Sequence, residues 1–381
     1  MTQRYFAPCP RGLEPVLAEE MLALGATRAT AVDGGVAFEG DWALLYRANL
    51  GSRIASRILW HAGEAPYRTE EDIYRAAAAL PWPQWFSVDR TLRVYASATR
   101  SPVKSLDFVT LRVKDAVCDS FRAASGARPD IDTRNPEVRV HAFLDATRAT
   151  FYLDTSGEPL FKRGYRDDST PAPLRENLAA GILRIAGWTP GTPLLDPMCG
   201  GGTFLCEAAM MTLAIPPGID REFAFDRLAF HDAQLWREVR DEAAAARKPA
   251  TALPLFGSDK DGRALKAAQA ALRRAGLEGV ATLRQADILD IEAPAPSGLL
   301  VANPPYGVRL GEQQALAEFY PRLGDTLKRR FAGWTCCLLS ADQRLPKLIG
   351  LKPSRRTPLF NGALECRLYR FEMVAGSMRR P

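Results

Sequence analysis

Apolar residues recur at helical spacing through residues 13 to 24, LEPVLAEEMLAL, and VDGGVAFEG then reads as two short strands around a Gly-Gly turn. A second helical pattern, WALLYRANLGSRIASRIL, follows at once, so the front of the chain predicts a small α+β module. The Pro- and Trp-rich stretch PWPQWF interrupts the pattern at 81 to 86. Beyond it come a strand (TLRVYASA), a helix (LRVKDAVCDSFRAA) and two alternating strands, VRVHAFL and RATFYLD, which predict a second α+β module. From Pro171 onward Ala-rich helices alternate with the short apolar runs PLLD, LPLFGSD, ATLRQAD, GLLVANPP and WTCCLLS. Strands separated by helices predict a doubly wound, Rossmann-like α/β domain with a mainly parallel sheet. LECRLYRFEM after Asn361-Gly362 reads as an antiparallel return strand.

At 381 residues with 47% hydrophobic content, the chain can bury at least two separate cores. No run approaches the eighteen apolar residues of a membrane span, and MTQRYFAPCPRG lacks the pattern of an export signal, so a soluble, cytoplasmic protein with no membrane partner is expected. The seven cysteines form no C-x-x-C pair and His61, His141 and His231 are far apart, which argues against disulfides and against any metal site. Cys336 and Cys337, in WTCCLL, read as buried strand residues.

The net charge of +6 suits a nucleic-acid partner but does not require one. Residues 1 to 165 hold 21 Lys+Arg against 20 Asp+Glu, so an RNA surface there has to be local. The candidate is 90 to 114, where Arg90, Arg93, Arg100, Lys104, Arg112 and Lys114 face one acid, Asp107; Arg93, Arg100, Lys104 and Arg112 are its expected RNA contacts. The alternative is a solvated helix face and loop.

Candidate chemistry begins at LLDPMCGGGT, residues 194 to 203, where an apolar strand breaks into glycines and then into a helix. Glycines at such a bend let a ligand approach backbone amides. Neither G-x-G-x-x-G nor a Gly-Lys-Ser/Thr phosphate loop is present. A following strand ends at Gly257-Ser258-Asp259, placing a carboxylate where it can hold both hydroxyls of a ribose, and the long spacing implies an insertion around PPGIDREFAFDRLAFHDAQLW. Asp287 closes a third strand and can accept from an adenine amine. Either acid could instead be a helix cap.

Asn303-Pro304-Pro305-Tyr306-Gly307, directly after LLVA, decides the chemistry. An exocyclic amine is a poor nucleophile because its lone pair is delocalised into the ring. The side-chain oxygen of Asn303 and the carbonyl of Pro304 can accept its two protons, the prolines stiffen that geometry, and Tyr306 offers a stacking face for an extruded base.

With these motifs the chain resembles class I S-adenosylmethionine-dependent amino-methyltransferases. Pro10-Arg11-Gly12-Leu13-Glu14, Lys162-Arg163-Gly164-Tyr165-Arg166 and Pro173-Leu174-Arg175-Glu176 extend the resemblance to the THUMP-domain 23S rRNA guanine-N2 methyltransferases of the RlmL type. The resemblance implies a ferredoxin-like module over 1–65, a THUMP RNA-binding module over 66–156 and a seven-stranded methyltransferase domain over 157–381. It also implies S-adenosyl-L-methionine as cofactor, with Asp196, Pro197, Cys199, Gly200, Gly202 and Thr203 holding its methionine part, Asp259 the ribose and Asp287 the adenine. Asn303, Pro304, Pro305 and Tyr306 would hold the target base, with Asn303 also beside the cofactor.

The implied partner is 23S ribosomal RNA or a pre-ribosomal particle, and the implied activity is methyl transfer to guanine N2. Gly201 stands where the family usually carries Ser; the resemblance implies that a further methyltransferase domain follows the first in some related proteins, and a second modification is not expected from this chain. A tRNA guanine-N2 methyltransferase and a non-catalytic ribosome-assembly protein are the alternatives. A fragment starting near Ser156 is expected to keep its own core, because every strand of the doubly wound sheet lies beyond it.

Overall fold

The computed structural model describes residues 2–166, 174–305 and 310–374, with side chains undescribed for 310–315. Two compact units emerge: Met1–Pro8 with Ala18–Leu160 and Gly218–Glu242, and Cys9–Leu17 with Phe161–Pro217 and Ala243–Pro381.

The first unit is built on one seven-stranded sheet. Its strands are β1 (Gln3–Pro8), β2 (Arg28–Val32), β3 (Gly35–Gly40), β4 (Leu59–Pro66), β5 (Leu92–Ala98), β6 (Val138–Leu144) and β7 (Arg148–Asp154), in the order β2-β3-β1-β4-β7-β6-β5. The two α+β modules read from sequence therefore share a sheet, because β4 pairs antiparallel with both β1 and β7. Its helices are α1 (Glu14–Ala23, which begins within the other unit), α2 (Trp42–Gly51), α3 (Glu70–Ala78) and α4 (Leu106–Ser125). The helical pattern read through residue 59 stops at Gly51, with Ser52 in extended backbone, and β4 begins eight residues later than that stop. Buried Glu20 holds this bend: its carboxylate accepts from the Ser52 hydroxyl (2.6 Å) and the Arg53 amide (3.1 Å). Strand alternation buries Tyr5, Phe38, Val94, Val140 and Phe151 on the covered face.

The inserted segment belongs to this unit. Its Phe225 packs edge-on to Tyr46 of α2 (4.9 Å) and Trp236 lies 5.8 Å from the same ring. The aromatic density of FAFDRLAFHDAQLW is what lets it dock there.

The second unit carries β8 (Leu194–Asp196), β9 (Leu255–Asp259), β10 (Thr282–Gln285), β11 (Gly298–Ala302), β12 (Trp334–Ser340), β13 (Arg355–Asn361) and β14 (Leu364–Glu372), ordered β10-β9-β8-β11-β12-β14-β13. The first five are parallel; β14 returns antiparallel to β12, and β13 pairs antiparallel with β14 across Gly362. Helices α5 (Glu176–Ile185), α6 (Thr203–Thr212), α7 (Ala233–Ala245), α8 (Gly262–Arg274), α9 (Leu310–Arg330) and α10 (Leu345–Leu348) follow in chain order, α7 lying mostly in the first unit. The doubly wound pattern has one gap. The connection from β10 to β11 contains no helix, since its twelve or so residues include Pro294 and Pro296. Leu300, Cys336, Leu338, Tyr320, Leu327 and Phe371 form the core beneath β11, β12 and β14, and Cys337 is equally buried. Every strand falls after Ser156, yet Cys9–Leu17 belongs to the same compact unit, so that unit is not a continuous C-terminal piece.

Candidate active site

The strand order reverses between β8 and β11, and the residues just past their carboxyl ends converge there, as expected at a topological switch point. A cleft of about 340 Å³ is lined by Pro197, Met198, Asp259, Lys260, Asp287, Ile288, Asn303, Pro304, Pro305 and Phe319. Six of the residues singled out from sequence thus share one wall system: Pro197, Asp259, Asp287, Asn303, Pro304 and Pro305. Tyr306 and Gly307 lie outside the described residues.

The turn after β8 is held by the neighbouring strand. Cys199 donates its amide to the Ser258 carbonyl (2.9 Å) and Gly200 donates to Oδ2 of Asp259 (3.0 Å), while Oδ1 of Asp259 accepts from the Asp261 amide (2.9 Å). Gly200 and Gly202 sit at φ +50° and +76°, where a side chain is strained. A Cβ on Gly202 would also meet the Ala268 Cβ at 3.0 Å, so this glycine lets α8 pack on the turn, whereas nothing lies within 4 Å of a Cβ on Gly200 or Gly201. That open side leaves the backbone accessible to a bound group.

The helix-cap reading falls on a different acid: Asp261, not Asp259, caps α8 by accepting from the Arg263 amide (2.9 Å). Asp287 does accept from a local amide, Leu289 at 2.9 Å, in a turn with no helix after it.

Asp196, Cys199, Gly200, Gly202 and Thr203 are not among the cleft-lining residues. Asp196 is 2% exposed and accepts from the Met198 amide (3.3 Å). Burial, helped by the Asp259 charge, pushes its carboxyl up to about 8. Burial likewise pushes the Cys199 thiol well above its usual range, which makes it a poor nucleophile.

The basic residues expected to contact RNA lie on β5, on the connection that follows it and on α4. Arg93 stands on β5 above the Tyr95 ring (4.6 Å) and donates to the Thr133 carbonyl. Arg112 stands on α4, paired with Glu71 (2.5 Å) and stacked over Tyr74 (4.1 Å). Arg100 and Lys104 are exposed in the connection between β5 and α4.

Sequence reasoning missed Met198, Lys260, Ile288 and Phe319. The first three flank motif residues, but Phe319 reaches the cleft from the middle of α9, and nothing distinguishes it from the other apolar residues of that helix. Among the described residues no group of three or more His, Cys, Asp or Glu is placed to hold a metal, and no helix is long and apolar enough to cross a membrane.

Residues 163–370, over half of the chain, match the RMKL-like methyltransferase domain model. The chain belongs to this family. Ahead of the methyltransferase domain, residues 4–59 match an RlmL ferredoxin-like domain and 67–154 a THUMP domain. This RMKL-like methyltransferase is 39% identical to a Synechocystis protein, slr0064, provisionally named an RNA methyltransferase, over 98% of this chain and 97% of that one. It is 38% identical to the ribosomal RNA large subunit methyltransferase K/L of Aeromonas hydrophila over 99% of this chain, but spans only 55% of that protein's length. Among solved structures, SMU.472, provisionally titled a methyltransferase and complexed with SAH, superposes with a TM-score of 0.88 at 32% identity, covering 100% of this chain and 99% of that one.

Proposed function

We propose that this RMKL-like methyltransferase transfers a methyl group from S-adenosylmethionine to the exocyclic N2 of a guanine in 23S ribosomal RNA, in the cytoplasm. The observation that carries the reading is the convergence of Asn303-Pro304-Pro305 with Asp259 and Asp287 in one cleft at the switch point. Its volume, its two acids and the open backbone at Gly200 and Gly201 fit a nucleoside with an amino-acid tail. S-adenosylmethionine supplies an electrophilic methyl carbon on a sulfonium sulfur. Asp259 holds ribose hydroxyls, with the lone pairs left over from the Gly200 and Asp261 amides. Asp287 accepts from the adenine amine.

Asn303 and the Pro304 carbonyl would accept hydrogen bonds from the two N–H groups of the guanine amine and aim its lone pair at the methyl carbon; the carbon–sulfur bond breaks as the carbon–nitrogen bond forms, S-adenosylhomocysteine leaves, and the methylated nitrogen gives its proton to water. Positioning in a dry cleft provides most of the acceleration, and no strong base is needed because the nitrogen becomes acidic once methylated.

The test is turnover of S-adenosylmethionine with ribosomal RNA from a source lacking the modification, followed by nuclease digestion and mass spectrometry of the nucleosides. N2-methylguanosine in 23S rRNA is the expected product. N6-methyladenosine, or methylation confined to tRNA, would overturn the substrate assignment.

A further inference from the structure

Among the described residues that line the cleft, Lys260 carries the one positive charge, against the carboxylates of Asp259 and Asp287. Its backbone is fixed to the end of β10: Gln285 Nε2 donates to the Lys260 carbonyl (3.0 Å) and the Ala286 amide to the Asp259 carbonyl (3.1 Å). Its side chain is exposed, and the ammonium takes no carboxylate partner among the described residues although an acid flanks it on either side in sequence. Both of those acids are engaged elsewhere. Asp259 accepts from the Gly200 and Asp261 amides, and Asp261 holds the Arg263 guanidinium through Nε (3.4 Å) and Nη2 (3.3 Å). Lys260 therefore brings an unneutralised charge to a cleft whose apolar wall, Met198, Ile288 and Phe319, lessens screening by water.

The methyl donor and its product differ by one charge. When the methyl carbon bonds to the amine, the electron pair of the broken carbon–sulfur bond stays on sulfur, so a cationic sulfonium becomes a neutral thioether while the amino-acid tail is unchanged. Fixed charges in the cleft act on that difference: the two carboxylates favour the sulfonium, and the Lys260 ammonium opposes them. We propose that Lys260 sets the balance between S-adenosylmethionine and S-adenosylhomocysteine, holding the reactant less tightly, relative to the product, than the acids alone would. Positive charge leaves sulfur as transfer proceeds, so the repulsion is felt by the bound donor and relieved in the transition state. The proposal rests on this cleft being the cofactor site.

Two measurements on the full chain test it. In the first, calorimetry gives the affinity for S-adenosylmethionine and for S-adenosylhomocysteine separately. Lys260→Met keeps most of the stem and removes the charge, and should shift the ratio of the two affinities toward S-adenosylmethionine by about threefold or more, the size expected of unit charges sharing a partly solvated cleft. Lys260→Arg should keep the wild-type ratio and Lys260→Glu should move it further than methionine does. A side chain that only packs on the ligand changes both affinities together, so an unmoved ratio in the methionine and glutamate variants overturns the proposal, as does a shift toward S-adenosylhomocysteine.

In the second, the wild-type protein is acetylated with an N-hydroxysuccinimide ester and the modified lysines are read by mass spectrometry. S-adenosylhomocysteine should slow acetylation of Lys260, with Lys266, exposed on α8, as the internal reference. An unprotected Lys260 rejects the proposal even if a variant does not fold. Asp259→Ala separates the two readings: both affinities lowered there while the Lys260→Met ratio stays at the wild-type value rejects Lys260 alone, whereas unchanged affinities there and in every Lys260 variant reject the cleft as the cofactor site.

Discussion

The amide of Gly200 and the carboxylate of Asp259 are joined at 3.0 Å, tying the turn after β8 to the end of β9. Asp259 therefore shapes the turn as well as offering a carboxylate to a ligand. Asp259→Ala should lose both functions. A charge-assisted contact is worth about 1.5 to 3 kcal/mol, so calorimetry should show S-adenosylmethionine affinity reduced roughly tenfold to more than a hundredfold. Asp259→Asn retains an oxygen for one amide and should fall between the two. Unchanged affinity in the alanine variant would remove Asp259 from the cofactor site.

Asn303 lies in the same cleft but on the far strand, immediately after β11. Its proposed work is done on the amine in the transition state, so Asn303→Ala should lower kcat about a hundredfold or more with little change in cofactor affinity. RNA affinity measured by filter binding should also hold. A parallel loss of RNA affinity would assign Asn303 to ground-state binding instead.

Local signals were enough to locate most of this cleft. Asp259 and Asn303 each close or follow an apolar run, Asp287 follows the short and mostly exposed β10, and the fold of a parallel sheet brings strand ends to one edge whatever lies between them. Phe319 was illegible because its place depends on how α9 packs, which no spacing within the helix encodes. The segment around residues 216 to 236 was legible as an insertion, but its destination was not, since docking of Phe225 and Trp236 on Tyr46 joins residues nearly two hundred positions apart. The helix read beyond Gly51 failed for a related reason: the carboxylate that turns the chain there, Glu20, comes from α1.

The glycines of the cofactor turn differ in what they tolerate. Gly201 is outside the left-handed region and has open space where a Cβ would project, so Gly201→Ser, the residue usual in the family, should leave the urea midpoint within about 0.5 kcal/mol of wild type. Gly202→Ala combines φ +76° with a 3.0 Å approach to Ala268 and should cost at least about 1 to 2 kcal/mol. Equal tolerance at both positions would mean that the turn is not packed against α8 in solution.

Asp196 gives a pH dependence of definite sign. Its folded carboxyl, at about 8, lies above the ordinary 3.8, so folding favours the protonated form. The associated stability is present in full below the ordinary value and is lost as pH rises through about 8. Asp196→Asn keeps an oxygen for the Met198 amide without the buried charge. Urea unfolding across pH should show the variant gaining on wild type as pH rises toward about 8, with the gap closing under acid conditions. A constant gap would indicate that Asp196 is ionised throughout.

A fragment beginning near Ser156 contains all of β8 to β14 but lacks Cys9–Leu17, which belongs to the same compact unit. Within that unit Leu13 is fully buried and presses on α5 where Gly181 leaves room: a Cβ there would lie 2.4 Å from the leucine Cδ1. Removing one such leucine side chain costs about 2 to 5 kcal/mol, and the fragment also loses Leu17, which is equally buried. The same cut strands the aromatic insertion, since Phe225 and Trp236 are retained without Tyr46. The fragment should therefore unfold at lower urea than the methyltransferase unit in the full chain and bind S-adenosylmethionine weakly. Leu13→Ala in the full chain should reproduce part of that loss with both sheets intact. Calorimetry and urea unfolding of the three proteins decide the matter; a fragment with full-chain cofactor affinity and an unchanged midpoint would show that Cys9–Leu17 contributes nothing to the unit it packs in.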